Sequence, residues 1–129
     1  MEKEKLKVEM EVTITQEDVD DIMATALEGG ITYWCCEAEV VGEYLGKYAS
    51  DQISRGGILK LYDNEEDEVY ELTLEKFKKG VMMYLSDPQA PYNIIDIDKG
   101  DYILDCGMVD GDVADMIVQY ALFGEVMFG

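Results

Sequence analysis

Ser54-Arg55-Gly56-Gly57 is the segment whose residue types are best suited to bind a ligand. Arg55 is the only arginine of the chain and stands among 29 acidic residues. A guanidinium beside a hydroxyl and two glycine amides makes a grip for a phosphate or a carboxylate. Tyr33-Trp34, Tyr44 and Tyr48 offer stacking surfaces, and Trp34, the single tryptophan, suits an anchor in a pocket or interface. Arg55, Ser54, Gly56, Trp34 and Tyr48 are therefore the ligand-binding candidates. The competing reading of the same residues is a helix C-terminus, where Arg suits the dipole and Gly stops the helix. On that reading the aromatic residues are core.

Other chemistries find less support. The chain has no histidine, which excludes a Ser-His or Cys-His nucleophile. A zinc site would need all three cysteines, Cys35, Cys36 and Cys106, plus a carboxylate, and the adjacency of Cys35 and Cys36 is poor geometry for it. Asp96-x-Asp98-x-Gly100-Asp101 looks like the start of a calcium loop. Its glycine comes one place early, however, and Gly107 stands where the closing glutamate belongs. No phosphate-binding glycine fingerprint is present. No catalytic residue, metal site or cofactor is expected.

Charge narrows the partners. The 129 residues carry 29 acidic and 10 basic side chains, a net charge of −19. Phosphate contacts need clustered Lys and Arg, so direct nucleic-acid binding is not expected, nor attraction to an anionic membrane. The surplus keeps a chain soluble and attracts a basic protein surface. The acidic run Glu65, Glu66, Asp67 and Glu68 is the candidate partner-binding segment. Three cysteines without a C-x-x-C read as reduced thiols. With no apolar run near the ~20 residues of a membrane span and no leader-like N-terminus, a cytoplasmic location is expected.

The elements that position these residues follow from periodicity. Leu6, Val8, Met10, Val12 and Ile14 alternate with polar residues and predict a half-buried strand over 4–14. Thr15 predicts a cap, with Asp18 at the third helical position and Ile14 and Val19 as a staple, for a helix ended by Gly29-Gly30. Ile31–Val41 reads as a strand. Tyr44, Leu45, Tyr48, Ala49, Gln52 and Ile53 recur at helical spacing and predict a short helix. Ile58–Tyr62 and Val69–Leu72 form a hairpin around the acidic loop. Thr73 and Asp110 cap two further helices, the first weakened by Gly80, the second stopped at Gly124. Ile94–Leu104 holds short strands around Asp98-Lys99-Gly100-Asp101, and 125–128 adds a terminal strand. With 48% hydrophobic residues, the expectation is one α+β domain over 1–129, an antiparallel sheet with three to four helices packed on it.

Asp18-Val19-x-Asp21 and Asp112-Val113-x-Asp115 echo each other, as do Ala26-Leu27-x-Gly29 and Ala121-Leu122-x-Gly124. This is either a duplicated helix–strand unit or two capped amphipathic helices alike by chemistry.

Three segments carry a resemblance: 26–35 (ALEGGITYWC), 48–57 (YASDQISRGG) and 119–125 (QYALFGE). Together they make the chain similar to a group of small acidic proteins encoded by phages and mobile elements of Gram-positive gut bacteria. The resemblance covers nearly the whole chain and brings no functional residues with it. It implies a bacterial cytosolic context and a counter-defence role. The expected function is a non-enzymatic inhibitor whose acidic face docks on a basic, nucleic-acid-handling host protein. The alternative is a homo-oligomer that sequesters a signalling nucleotide between subunits, and a third reading is a carboxylate enzyme using a divalent metal.

Overall fold

Helices form where a capping side chain precedes an apolar stripe. The first, α1 (Gln16–Thr25), begins at Thr15, whose hydroxyl accepts the Asp18 amide at 3.1 Å while the Asp18 carboxylate accepts the Thr15 amide at 2.9 Å. That reciprocal pair is a capping box. Helix α2 (Leu74–Ser86) is capped by Thr73 and α3 (Gly111–Phe123) by Asp110, each side chain accepting the third helical amide. Each cap contributes roughly 1 kcal/mol. Gly124 closes α3 at φ 72°, the left-handed conformation that glycine adopts without a Cβ penalty. Helix α1 instead runs on into one wide turn, Ala26–Gly30. The computed structural model describes residues 2–6, 8–65 and 67–129.

The chain is an α+β protein with three α-helices and two three-stranded sheets among the described residues. One sheet orders β2 (Cys35–Val40), β3 (Leu59–Asp63) and β4 (Val69–Leu72), all antiparallel. The other orders β1 (Val12–Thr13), β6 (Asp101–Leu104) and β5 (Ile95–Asp98). There β5 and β6 form a hairpin and β1 runs parallel to β6. The hairpin turns at Lys99 and Gly100, both at positive φ, as a two-residue turn requires. The strands thus divide between two sheets where the sequence predicts one.

Four segments depart from expectation. Among the described residues the strand over 4–14 is only β1, because the register pairs Val12 with Tyr102 and β6 begins at Asp101, so those before Glu11 have no neighbouring strand. Residues 31–34 form turns before β2 begins. The helix predicted over 44–53 is a single turn of 3₁₀ helix, Ala49–Asp51. Asp51 accepts the amides of Lys47 and Tyr48, and Gln52 accepts that of Leu45. These side chains hold residues 45–48 as a lead-in to that turn, with Tyr48 extended at φ −123° and ψ 161° as its cap. Residues 125–128 form no strand.

The echoed motifs are not a repeated unit. Asp18 is the third residue of its helix and Asp112 the second, and the apolar runs that follow, 31–33 and 126–128, are not strands. One hydrophobic cluster joins α1, α2 and α3 to both sheets, with Ile22, Leu61, Phe77, Ile94 and Ile117 fully buried. Gly80 lets α2 approach α3, since a Cβ there would lie 2.3 Å from the Ile117 carbonyl oxygen. Among the described residues no helix is long and apolar enough to cross a membrane.

Candidate functional site

Arg55 is engaged within its own chain. Its Nη1 lies 3.3 Å from Asp20 Oδ1 and donates to the Asp51 carbonyl at 3.0 Å and to Ser54 Oγ at 3.1 Å. Ser54 donates in turn to Asp20. The flanking glycine amides are also used: Gly56 donates to the Ile53 carbonyl at 3.0 Å and Gly57 to the Gln52 carbonyl at 2.9 Å. Gly56 turns the chain at φ 84°. The cluster therefore ties α1 to the 49–57 turns. It offers an incoming anion two carboxylates and two committed amides.

The other ligand-binding candidates divide. Tyr48 is exposed, with Lys47 Nζ 5.2 Å from its ring centre. Its amide shares Asp51 with Arg55, so Tyr48, Ser54, Arg55 and Gly56 come together. Trp34 belongs elsewhere. It is 3% exposed, stacks on Phe128 at 5.0 Å and meets Tyr70 and Phe123 edge-on.

Trp34 leads to a cluster that the sequence does not advertise. Asp115 of α3 is 8% exposed. It accepts hydrogen bonds from Tyr33 Oη at 2.6 Å, Trp34 Nε1 at 2.8 Å and Gln119 Nε2 at 2.9 Å. Gln119, fully buried, also accepts the Met127 and Phe128 amides at 2.7 Å each. Burial, and then the hydrogen bond to Asp115, hold the Tyr33 phenol well above its ordinary pKa. The signal for this cluster is a pair of polar residues four apart on an otherwise apolar helix. Such a pair is noteworthy only once that face is known to be buried.

The sheet β2–β3–β4 presents a different surface. Its inner rows, Ala38-Leu61-Tyr70 and Val40-Leu59-Leu72, face the core, as alternation requires. Its outer rows are Glu37-Tyr62-Val69 and Glu39-Lys60-Glu71. Glu37, Glu39 and Glu71 are exposed, and the Tyr62 hydroxyl donates to Glu39 at 3.1 Å. The acidic loop prolongs this face. Glu65, Asp67 and Glu68 are exposed, and Glu66 lies outside the described residues. Asn64 pins the loop by donating to the carbonyls of Trp34 and Tyr33. Cys36 is exposed beside it, with its thiol near the carbonyls of Tyr62 and Asp63.

The remaining candidates are quickly placed. All three cysteines are free thiols. Burial and the Asp18 carboxylate push the Cys106 thiol up to about 12, and burial raises Cys35. Among the described residues no group of three or more Cys, Asp or Glu side chains is placed to hold a metal ion. Asp96 and Asp98 lie in a hairpin strand rather than a coordinating loop. An apolar groove of about 740 Å³ lies between residues 8–14 and α2. No protein family, curated protein or solved structure matches the chain.

Proposed function

We propose that this chain is a non-enzymatic binding protein of a phage or mobile element. It acts in the host cytosol by docking an acidic face onto a basic surface of a nucleic-acid-handling host protein. The observation that carries the reading is the outer face of β2–β3–β4, where Glu37, Glu39 and Glu71 surround the single cation Lys60 and continue into the acidic loop. Glu37 and Glu39 are about 7 Å apart along one strand. The sheet fixes the spacing of their backbones and the Tyr62 hydroxyl holds Glu39, so carboxylates at set intervals stand in for phosphates. Tyr62 and Val69 add an apolar centre of the kind that hot spots use.

Nucleotide sequestration by Arg55 is the weaker reading, because its guanidinium and both neighbouring glycine amides already have partners.

The test is binding of the purified chain to a panel of nucleases and other nucleic-acid-binding proteins across a salt series. The expected result is binding that weakens as salt rises, and that Glu37→Lys with Glu39→Lys abolishes while Glu17→Lys on α1 leaves it intact. Binding indifferent to salt, or equally affected by both substitutions, would overturn the proposal.

A further inference from the structure

Residues 4–11 have the alternation of a strand in sequence, and among the described residues 4–6 and 8–11 have no strand beside them. Leu6 is 87% exposed and Val8 80%, on a segment that leads directly into β1. The cause is the length of β6: continued backwards, the register of Val12 with Tyr102 sets Glu11 against Asp101, the first residue of β6 and a like charge. Before Glu11 the register runs out at the Lys99-Gly100 turn, where β6 has no residue left to pair. Strand β1 is also the edge of its sheet. Its far side therefore carries unpaired backbone groups, the usual template for strand addition.

We infer that this segment pairs antiparallel with the same segment of a second copy, about a two-fold axis at Val8, joining two three-stranded sheets into one of six strands. The occupant follows from charge. The first half of the segment carries Glu4, Lys5 and, by sequence, Lys7, and the second half Glu9 and Glu11. Antiparallel pairing about Val8 sets Lys5 against Glu11 and Leu6 against Met10 on both sides of the axis, and brings the two Val8 side chains together. Opposite charges and apolar pairs directly across strands stabilise a sheet. A parallel pairing would set like charges together.

For so acidic a chain the segment repels its own copy weakly, since residues 2–11 hold four glutamates against three lysines. Val8, Met10, Val12 and Ile14 line one wall of the 740 Å³ groove, and Val81, Met82 and Leu85 of α2 line the other. Leu6 of the second copy, opposite Met10, extends over its mouth. A two-fold arrangement of this kind is closed, so it yields a dimer and no larger assembly.

The experiment is the mass of the full chain in solution by sedimentation equilibrium. The wild type is expected to be a dimer. Val8→Asp sets two like charges at the axis and is expected to give a folded monomer, checked by circular dichroism. Lys5→Glu and Glu11→Lys each place like charges opposite one another, and each is expected to raise the dimer dissociation constant about tenfold or more. Mixing the two variants restores opposite charges at both positions, so the mixture is expected to dimerise. A monomeric wild type, a Val8→Asp dimer, or a mixture no better than its components would each overturn the inference.

Discussion

The Arg55 cluster joins one guanidinium to two carboxylates at the surface, and the Asp115 cluster joins one carboxylate to three neutral donors in the interior. Formal charge favours the first as the stronger interaction; environment favours the second. Around Arg55, whose side chain is 30% exposed, water competes for every bond, and such pairs contribute about 0–1 kcal/mol. Around Asp115 the alternative to a hydrogen bond is an unpartnered buried group, which costs about 1–3 kcal/mol for each one. The sites differ in what happens when a partner leaves, more than in how many bonds each makes.

Asp115→Ala tests that difference most strongly. It strands Trp34 Nε1 in the interior and leaves a void, while Gln119 Nε2 keeps Tyr33 Oη and the Phe128 carbonyl as acceptors and half-exposed Tyr33 turns to water. The expected loss is roughly 3 kcal/mol, read as a shift of the urea midpoint; a loss near that of an exposed pair would erase the contrast. Trp34→Phe keeps the aromatic packing and removes one donor, for an expected loss of about 1–2 kcal/mol.

Tyr120 and Asp87 form an intermediate case, half-buried and 2.6 Å apart. The hydrogen bond from Tyr120 lowers the Asp87 carboxyl and is the first cause that raises the phenol, to about 12. The Asp87 contribution is present above the ordinary carboxylate range and is lost as pH falls through the lowered value. The phenol contribution is present below its ordinary value and is lost as pH rises toward about 12. Tyr120→Phe removes both, so its stability profile in chemical denaturation is expected to be flatter than the wild type's at each extreme. A profile merely displaced downward would contradict the pairing.

The smallest effect is expected at Arg55→Ala, under about 1 kcal/mol and smaller still in high salt. A loss as large as that at Asp115 would break the comparison.

Local chemistry was legible in the chain and tertiary chemistry was not. Thr15, Thr73 and Asp110 announce helix starts because a cap needs only its own next three residues. The 98–101 turn is read as easily, because its geometry lies within four residues. The spacing of Tyr44, Leu45 and Tyr48 misled, because Asp51 and Gln52 reach back to the amides of that segment and hold it as a loop. The alternation over 4–14 is genuine strand patterning, but whether a strand forms depends on where β6 stops, ninety residues away. Arg55 was conspicuous as the lone arginine, yet rarity does not reveal that Asp20 stands beside it. Asp115 was invisible for the opposite reason, as one carboxylate among many until its burial is known. Gly80 looked like a flaw in α2 and is where α3 crosses it.

Trp34 has a further consequence. The chain's only indole lies where the start of β2, α3 and the 125–129 segment converge, stacked on Phe128 and bonded to Asp115. The protein thus carries one tryptophan fluorophore among nine tyrosines, and the colour of its indole emission reports on whether residues 125–129 are docked. Release of Phe128 would let water reach the ring and move the emission to longer wavelength, a signal separable from global unfolding and obtained without any label.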